Sequence, residues 1–428
     1  MKLRALALAP LFVAALSAAC AAPADEPVEA DEGEYTSATS RLLEMSFRGE
    51  LVTSRFANAE QAVRDQMLFT IGQLNGDVGV GRLDKLTLRD VTSAPAADGL
   101  QKVTYRATLP VSLSKDKRTG RWYTLHLPRR VDSAGQEAFF RKYERTCTDP
   151  WAHDNDAGIY WYYYRPAQPR CELDAADVLD VRASVKVSAE NTTDKYPEYD
   201  RIWDDGVLDV VAIYGKVEDG ATTHADRGIW SHAHFVNTMK RELPNVKTTP
   251  EVLPAMPGIE TPDVTLESTL PDGRKIRLTS LLVDNVRQGG AAFERRYTEL
   301  SGNADLIVYN GHAGLGSNVR ALARMGQFKR GKYQIIYMNG CDTFAYVDGY
   351  LAESRGRLNP DDPTGTKYME IITNSMPPNW DSLPNNTMVL VRSLAKLDAP
   401  EKYQDILGKF DQSGFQAVTG EEDNTFRP

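Results

Sequence analysis

Apolar and polar residues alternate along much of the first half of the chain, and the period of the pattern changes from one stretch to the next. A period of two is typical of strands with one buried face, and a period near 3.6 is typical of amphipathic helices. Strands are predicted at residues 41–54, 82–93, 102–114, 122–131, 159–167 and 178–189, and helices at residues 59–74 and 133–146. This order predicts a small α+β domain over residues 41–189.

The second half of the chain contains short, continuously apolar runs that alternate with helical periods. Continuous runs are typical of strands buried on both faces of a parallel sheet. Such strands are predicted at residues 207–215, 304–310, 333–339 and 367–375, helices at residues 231–243, 290–300 and 319–325, and a strand hairpin at residues 263–284. The alternation predicts an α/β domain over residues 207–428, with a largely parallel sheet flanked by helices. The polar residues 190–206 are predicted to be a linker.

The N-terminal residues have the composition of an export signal. Two basic residues, Lys2 and Arg4, precede an apolar stretch shorter than the ~20 residues that a bilayer requires. Residues 1–19 are therefore predicted to be a signal peptide, and the acidic residues 20–40 a flexible tether. Cys20 stands where bacterial lipoproteins carry a lipidated cysteine, which predicts anchoring to the lipid bilayer in the bacterial cell envelope, at the outer membrane or on a periplasmic face. Ordinary cleavage at this place, followed by secretion, is the alternative.

The composition and net charge of the chain indicate which kinds of partner it can bind. The chain is 42% hydrophobic and 25% charged, as in ordinary globular proteins, and its formal net charge is −9. Nucleic acids require a basic footprint, so nucleic acid is not an expected partner. His224, His232 and His234 lie in one short stretch, which raises the alternative of a zinc site, but no cysteine or acidic residue stands at motif spacing. No metal and no cofactor is therefore predicted.

The predicted export changes how the four cysteines are interpreted. Disulfides persist outside the cytoplasm, and Cys147 and Cys171 flank one segment and are candidates to pair. With Cys20 lipidated, Cys341 is the odd thiol, and an unpaired cysteine in an exported protein is a candidate for reactivity. The alternatives are that Cys341 pairs with another cysteine or is buried as a small hydrophobic side chain.

Two of the predicted buried strands end in the same way. Residues 304–310 and 333–339 each end in Asn, and Gly plus one reactive residue follow, His312 in the first case and Cys341 in the second. The carboxyl ends of parallel strands meet at one sheet edge, where neighbouring strands lie ~4.8 Å apart. An imidazole can take the proton of a thiol, and the thiolate is the nucleophile. Asp342 is expected to point away from this pair, because a close carboxylate disfavours a thiolate.

This doubled pattern resembles that of the caspase-like cysteine peptidases, the group of caspases, gingipains, legumains and clostripain. Their hallmark is a strand ending in His-Gly and a later strand ending in a small residue and Cys. The resemblance covers roughly residues 207–375, and the separation of 29 residues from His312 to Cys341 is closest to that of gingipains. It implies a caspase-like fold with His312 as the catalytic histidine and Cys341 as the nucleophile. The chain departs from the family at Ala313, where the family usually has Gly.

The resemblance also implies roles for residues around the pair. The backbone N–H groups of Ala313 and Cys341 would form the oxyanion hole, and Asn339 would line the primary substrate pocket. Arg227 would be the counterpart of a pocket arginine and favour an acidic P1 residue, since guanidinium binds carboxylate bidentately. Asp226 beside it would favour a basic P1 residue instead. The alternative is that both Arg227 and Asp226 simply face solvent.

The predicted function is that of an exported, lipid-anchored cysteine endopeptidase, a hydrolase that acts on peptides or proteins through a thioester intermediate. Cys341 would attack the scissile carbonyl, the amine would leave with a proton from His312, and water would release the acyl group. Two alternatives stay open. A non-catalytic caspase-like surface lipoprotein would act as a binding or scaffold module, and an acyltransferase or transpeptidase would resolve the same thioester with an amine.

Overall fold

The structure, a computed structural model, describes residues 33–153 and 155–428. The predicted signal peptide, the candidate lipidation residue Cys20 and the first part of the predicted tether lie outside the described residues. Among the helices of the described part, none combines the length and the hydrophobicity that crossing a bilayer requires. The described strands form two sheets.

The smaller sheet belongs to the first half of the chain. The elements of this half are β1 (Tyr35–Ser37), β2 (Ser40–Ser54), α1 (Ala59–Gly76), β3 (Gly79–Gly81), β4 (Thr87–Pro95), β5 (Leu100–Ser114), β6 (Trp122–Pro128), α2 (Ser133–Tyr143), α3 (Tyr160–Tyr163), β7 (Val178–Val187) and α4 (Tyr199–Ile202). The sheet has the order β3-β5-β2-β7-β6, and β4 also pairs with β5. Its alternating apolar residues, such as Met45 and Leu109, share one core with Val63 and Met67 of α1, which is why the period-two pattern predicts these strands.

The larger sheet belongs mainly to the second half of the chain. The elements of this half are β8 (Val207–Gly215), α5 (Arg227–Glu242), β9 (Lys247–Thr249), β10 (Asp263–Thr269), β11 (Lys275–Val283), α6 (Gly290–Ser301), β12 (Leu306–Asn310), α7 (Ser317–Arg324), β13 (Gln334–Asn339), α8 (Thr343–Tyr346), α9 (Tyr350–Leu358), β14 (Met369–Asn374), α10 (Leu383–Leu394), α11 (Tyr403–Leu407) and β15 (Gln416–Thr419). The order is β1-β15-β14-β13-β12-β8-β11-β10-β9. Strands β14, β13, β12, β8 and β11 are parallel, and the outer pairs are antiparallel. The predicted α/β class with a largely parallel central sheet flanked by helices is confirmed at this level.

Each face of the large sheet is covered by a different layer. On one face, Phe235 of α5 and Leu390 of α10 share an apolar cluster with Val210. On the other face, Val211 clusters with helices α6 and α7 and with Ile71 and Val80 of the first half. The first half of the chain therefore supplies part of the apolar cover of the large sheet.

The end of the predicted tether is folded. Strand β1 pairs antiparallel with β15 at the edge of the large sheet. Tyr35 is buried, and its hydroxyl group lies 2.7 Å from the Oγ atoms of both Ser40 and Ser112. Burial of this aromatic side chain explains why the chain is ordered before residue 41, where the first domain was predicted to begin.

Two further segments differ from the sequence prediction. The predicted linker contains α4, and Tyr199 and Trp203 are buried in the same cluster as β8, so these residues are part of the core. Residues 159–167, predicted as a strand, contain the short helix α3 instead. Tyr160 packs edge-on against Phe69, at a ring separation of 6.4 Å. Tertiary packing of a run of aromatic residues thus overrides their strand propensity.

Candidate active site

His312 and Cys341 follow two neighbouring parallel strands. Asn310 of β12 is in register with Asn339 of β13, and the Gly311 N–H donates to the Asn339 carbonyl oxygen at 3.2 Å. The two strand ends are so close that a Cβ atom added to Gly340 would lie 2.5 Å from the Gly311 oxygen. The pattern of strand endings thus brings the two residues to one edge of the sheet.

The His312 ring is oriented by a backbone carbonyl. Its Nε2 atom lies 3.0 Å from the carbonyl oxygen of Val217, in the loop after β8. A carbonyl oxygen only accepts hydrogen bonds, so Nε2 carries the proton and Nδ1 of the neutral ring is the nitrogen that can act as a base. Trp380 contacts the same ring edge-to-face at 4.9 Å. Sequence reasoning missed this orienting group because a backbone carbonyl has no side-chain signature.

The backbone at His312 is held as well. The Tyr309 hydroxyl and the Asn318 side-chain amide both donate to the His312 carbonyl oxygen, at 2.9 and 2.8 Å. Tyr309 is buried at the end of β12, and Asn318 lies in the first turn of α7. The imidazole is therefore attached to a backbone fixed from two elements.

Cys341 is a free thiol, but the structure does not hold it as a thiolate. Part of the residue reaches the surface, yet burial around the sulfur, followed by the nearby carboxyl of Asp342, raises the pKa of Cys341 to about 12. Within the described part of the chain, the sulfur makes no hydrogen bond to His312. In this conformation the thiol is neutral at pH 7, and a base must remove its proton before it can attack.

Asp342 connects the candidate nucleophile to the first half of the chain. Its carboxyl group is buried and accepts hydrogen bonds from the Asn75 side-chain amide at 3.0 Å and from the Tyr162 hydroxyl at 2.8 Å. Burial raises the pKa of Asp342 to about 6, although these hydrogen bonds lower it. The carboxyl group therefore binds α1 and α3, but it stays near enough to the sulfur to contribute to the raised pKa of Cys341, whereas the sequence predicts that it points away.

The predicted oxyanion donors, the backbone N–H groups of Ala313 and Cys341, lie just beyond the two strand ends. The Ala313 nitrogen would lie 3.2 Å from a Cβ atom at Gly340, which shows how near the two backbones are. In the described part of the chain, the backbone N–H group of Ala313 donates to no other residue, and that of Cys341 donates only to its own sulfur. The Cβ of Ala313 is accommodated in a buried position, so its replacement of Gly leaves the N–H group in place.

Asn339 does not line a substrate pocket, in contrast to the role implied by the resemblance. Its side chain is 0% exposed. The side-chain amide donates to Asn310 at 2.8 Å and accepts from Asn374 at 3.0 Å. These three asparagines stand at the ends of β12, β13 and β14 and form one chain of amides across the sheet. The side chain of Asn339 is thus a structural link between strand ends, because each of its polar atoms is engaged.

Asp226 is also engaged and is not a free pocket carboxylate. One carboxylate oxygen caps α5 by accepting from the Gly228 and Ile229 N–H groups, at 2.8 and 3.1 Å. The other oxygen accepts from the N–H groups of Val217 and Glu218, at 2.9 and 3.0 Å. The prediction that Asp226 would contact a basic P1 residue is therefore wrong in this conformation, because four donors already occupy the carboxylate.

Arg227 lies on the surface beside the site. Its guanidinium pairs with Asp381 at 3.0 Å and lies over the Trp230 ring, and its side chain is about half exposed. Asp381 follows Trp380, which contacts the His312 ring. Arg227 is thus close to the candidate site, although its charge is shared with a surface carboxylate.

A cavity of about 420 Å³ opens one strand further along the same edge of the sheet. Lys216, Val283 and Phe293 are among the residues that line it, at the ends of β8 and β11 and on α6. Lys216 directly precedes Val217, whose carbonyl orients His312. The edge therefore presents, in order, the thiol, the imidazole, the orienting carbonyl and a cavity.

The remaining predicted residues are placed as follows. The Cys147–Cys171 disulfide is confirmed, with Cα atoms 4.6 Å apart. The three clustered histidines have separate partners: His232 is buried against Ser280 and the Thr261 carbonyl, His224 contacts the Pro257 carbonyl, and His234 stacks on Trp230. In the described part of the chain, no group of three or more His, Cys, Asp or Glu side chains is arranged to hold a metal ion. Comparisons of the chain with family models, with curated proteins and with solved structures found no match.

Proposed function

We propose that this protein is a caspase-like cysteine endopeptidase in which Cys341 is the nucleophile and His312 the base. The observation that carries the proposal is the 3.0 Å contact between His312 Nε2 and the Val217 carbonyl oxygen, since it assigns the tautomer that leaves Nδ1 free to accept a proton. The parallel pairing of β12 with β13, each followed by one of the two residues, supports the same assignment.

The proposed reaction uses only groups of this chain and water. Nδ1 of His312 takes the thiol proton of Cys341, and the sulfur attacks the scissile carbonyl carbon while the C–O electron pair moves onto oxygen. The N–H groups of Ala313 and Cys341 stabilise that oxyanion. Collapse to the thioester breaks the C–N bond, and the imidazolium protonates the leaving amine. Water, deprotonated by His312, then attacks the thioester, releases the acid and restores the thiol.

A second candidate function is supported by the environment of Cys341. Its raised pKa and the missing hydrogen bond to His312 are those of a resting thiol. A non-catalytic binding or scaffold protein with the same architecture would show both features. We favour the peptidase because an imidazole with a fixed tautomer, a free thiol and an unengaged Ala313 N–H group at one edge have no evident structural task.

Export and anchoring of the protein through Cys20 belong to this proposal and rest on the sequence. The disulfide between Cys147 and Cys171 supports an oxidising compartment such as the periplasm or the cell surface. A protein substrate outside the cytoplasm is the corresponding partner.

Cleavage of a mixed peptide library, followed by mass spectrometry, tests the proposal. We expect cleavage by the purified wild-type protein, and a loss of at least about 10³-fold in both Cys341→Ala and His312→Ala. His126→Ala is a suitable control, because that imidazole pairs with Asp180 in the small sheet. If the wild-type protein cleaves no peptide and alkylation of Cys341 is unaffected by His312→Ala, the peptidase hypothesis is wrong. The hypothesis of a non-catalytic binding or scaffold protein then remains.

A further inference from the structure

We propose that Asp226 is a positioning residue for His312 that acts through the Val217 carbonyl group. This inference deepens the proposed function and rests on it, since a precisely oriented imidazole matters only if His312 is a base. Asp226 itself touches neither the imidazole nor the thiol. It binds the peptide unit beside the carbonyl that the imidazole binds.

The loop after β8 is held at both ends of Val217. On one side, the Lys216 N–H is shared between the carbonyl oxygens of Val283 and Asp284, at 3.0 and 3.1 Å. On the other side, Asp226 accepts from the N–H groups of Val217 and Glu218. Two successive N–H groups on one carboxylate oxygen fix the peptide planes around Val217, and therefore the direction in which its carbonyl points.

The same carboxylate also attaches this loop to α5. Its second oxygen caps the helix through the Gly228 and Ile229 N–H groups. The start of the helix is packed directly onto the end of β8, because a Cβ atom at Gly228 would lie 2.1 Å from the Gly215 oxygen. The Asp226 carboxylate therefore fixes Val217, the residue that orients His312, relative to the packed ends of β8 and α5.

Only a carboxylate can satisfy both pairs of donors. An Asn side chain of nearly the same shape has one accepting oxygen, and its NH₂ group would face two N–H donors. Asn is a good helix cap, so Asp226→Asn retains the cap with its oxygen and loses the bonds to Val217 and Glu218. This substitution separates the positioning role from the structural role.

The test compares wild type, Asp226→Asn and His312→Ala in two measurements on the purified protein. The first is the tautomer of His312, read from the long-range ¹H–¹⁵N spectrum of protein labelled at histidine, with the resonances assigned by their loss in His312→Ala. The second is the rate of alkylation of Cys341 by iodoacetamide between pH 5 and 10. Asp411→Asn is the matched control, since Asp411 also caps a helical turn through the Ser413 N–H, far along the chain.

We expect Asp226→Asn to shift His312 from the Nε2–H form toward a mixture of tautomers. We expect it also to lower the His312-dependent part of the alkylation rate by roughly tenfold, the equivalent of one hydrogen bond. Its melting temperature should stay close to that of Asp411→Asn. An unchanged tautomer and an unchanged pH profile in folded Asp226→Asn would overturn the proposal.

Two further outcomes separate this inference from the proposed function. If His312→Ala leaves the alkylation profile unchanged, the peptidase fails, while the tautomer shift in Asp226→Asn still decides the positioning role. If Asp226→Asn unfolds, Asp226→Ser provides one hydroxyl for the cap and none for Val217. An unchanged His312 tautomer in that variant would overturn the proposal, and so would unfolding of both variants, because Asp226 would then be a structural cap.

Discussion

The candidate base and the candidate nucleophile stand at equivalent ends of adjacent strands, but different parts of the chain hold them. His312 is held from the second half of the chain, by Val217, Tyr309 and Trp380. Cys341 is followed by the buried Asp342, whose carboxyl group accepts hydrogen bonds from Asn75 and Tyr162 of the first half. Sheet geometry brings the two residues together, whereas their surroundings decide which of them is ready to react.

The two surroundings differ in their effect on protonation. The carbonyl at His312 assigns the proton to one ring nitrogen and leaves the other as a base. Burial and the Asp342 carboxyl raise the pKa of Cys341, which keeps the thiol neutral. The first half of the molecule therefore binds the carboxyl group that acts on a thiol of the second half.

Removal of the disulfide should have the largest effect. The Cys147–Cys171 bond closes a loop that carries Tyr162, the hydroxyl donor to Asp342. The double variant Cys147→Ala/Cys171→Ala should lose about 2–4 kcal/mol of unfolding free energy in urea. Iodoacetamide should also label Cys341 faster, because the loop that carries Tyr162 is less restrained without the disulfide.

A control is needed because any destabilised protein exposes its thiols more often. Leu266→Ala removes a buried side chain from β10, with an expected loss of similar size. If that variant speeds the labelling of Cys341 by the same factor as loss of the disulfide, the loop has no specific influence on the nucleophile.

Gly340→Ala should separate the two strand ends. The added Cβ atom would lie 2.5 Å from the Gly311 oxygen, which is backbone and cannot move aside cheaply. We expect a loss of about 1–3 kcal/mol in urea unfolding, as for other overpacked sites. Gly349→Ala is the matched control, since its nearest contact is 3.5 Å to a glutamate side chain. Equal stability of the two variants would contradict the close approach.

Asp342 should make stability depend on pH in a defined direction. Its pKa is raised by burial from an ordinary value near 3.8 to about 6, so the folded protein binds a proton more tightly than the unfolded chain. This contribution is fully present below about pH 4 and is lost as the pH rises through 6. Asp342→Asn should therefore be more stable than wild type by about 2–3 kcal/mol at pH 7.5, and by much less at pH 4. A constant difference at the two pH values would contradict the assignment.

The same substitution should raise the reactivity of the thiol. Asn retains the shape of the side chain and tolerates the positive φ of 52° at this position, but it removes the negative charge beside the sulfur. We expect the pKa of Cys341 to fall and alkylation at pH 8 to be several-fold faster, up to about tenfold. The difference should shrink below pH 6, where Asp342 is neutral. Glu370→Gln, a buried acid at the other end of the sheet, should leave the rate unchanged.

Most regular elements were predictable because their signals are local. The alternation of residues 102–114 predicts β5, and the continuous apolar runs of residues 304–310 and 333–339 predict β12 and β13. Such patterns report directly which faces of a segment are buried. Helix α3 was mispredicted because its aromatic residues are placed by contacts with Phe69 and its neighbours, which are far away in sequence.

The sequence by itself determined the α/β character of the second half, the disulfide and the pair of strand ends that carry His312 and Cys341. Only the tertiary structure decided what those two residues can do. The carbonyl of Val217 and the buried carboxyl of Asp342 act through distance and desolvation, and neither leaves a pattern in a linear sequence. Residue type can be read from the order of the chain, whereas the proton on a ring nitrogen and the pKa of a thiol depend on which distant atoms the fold places beside them.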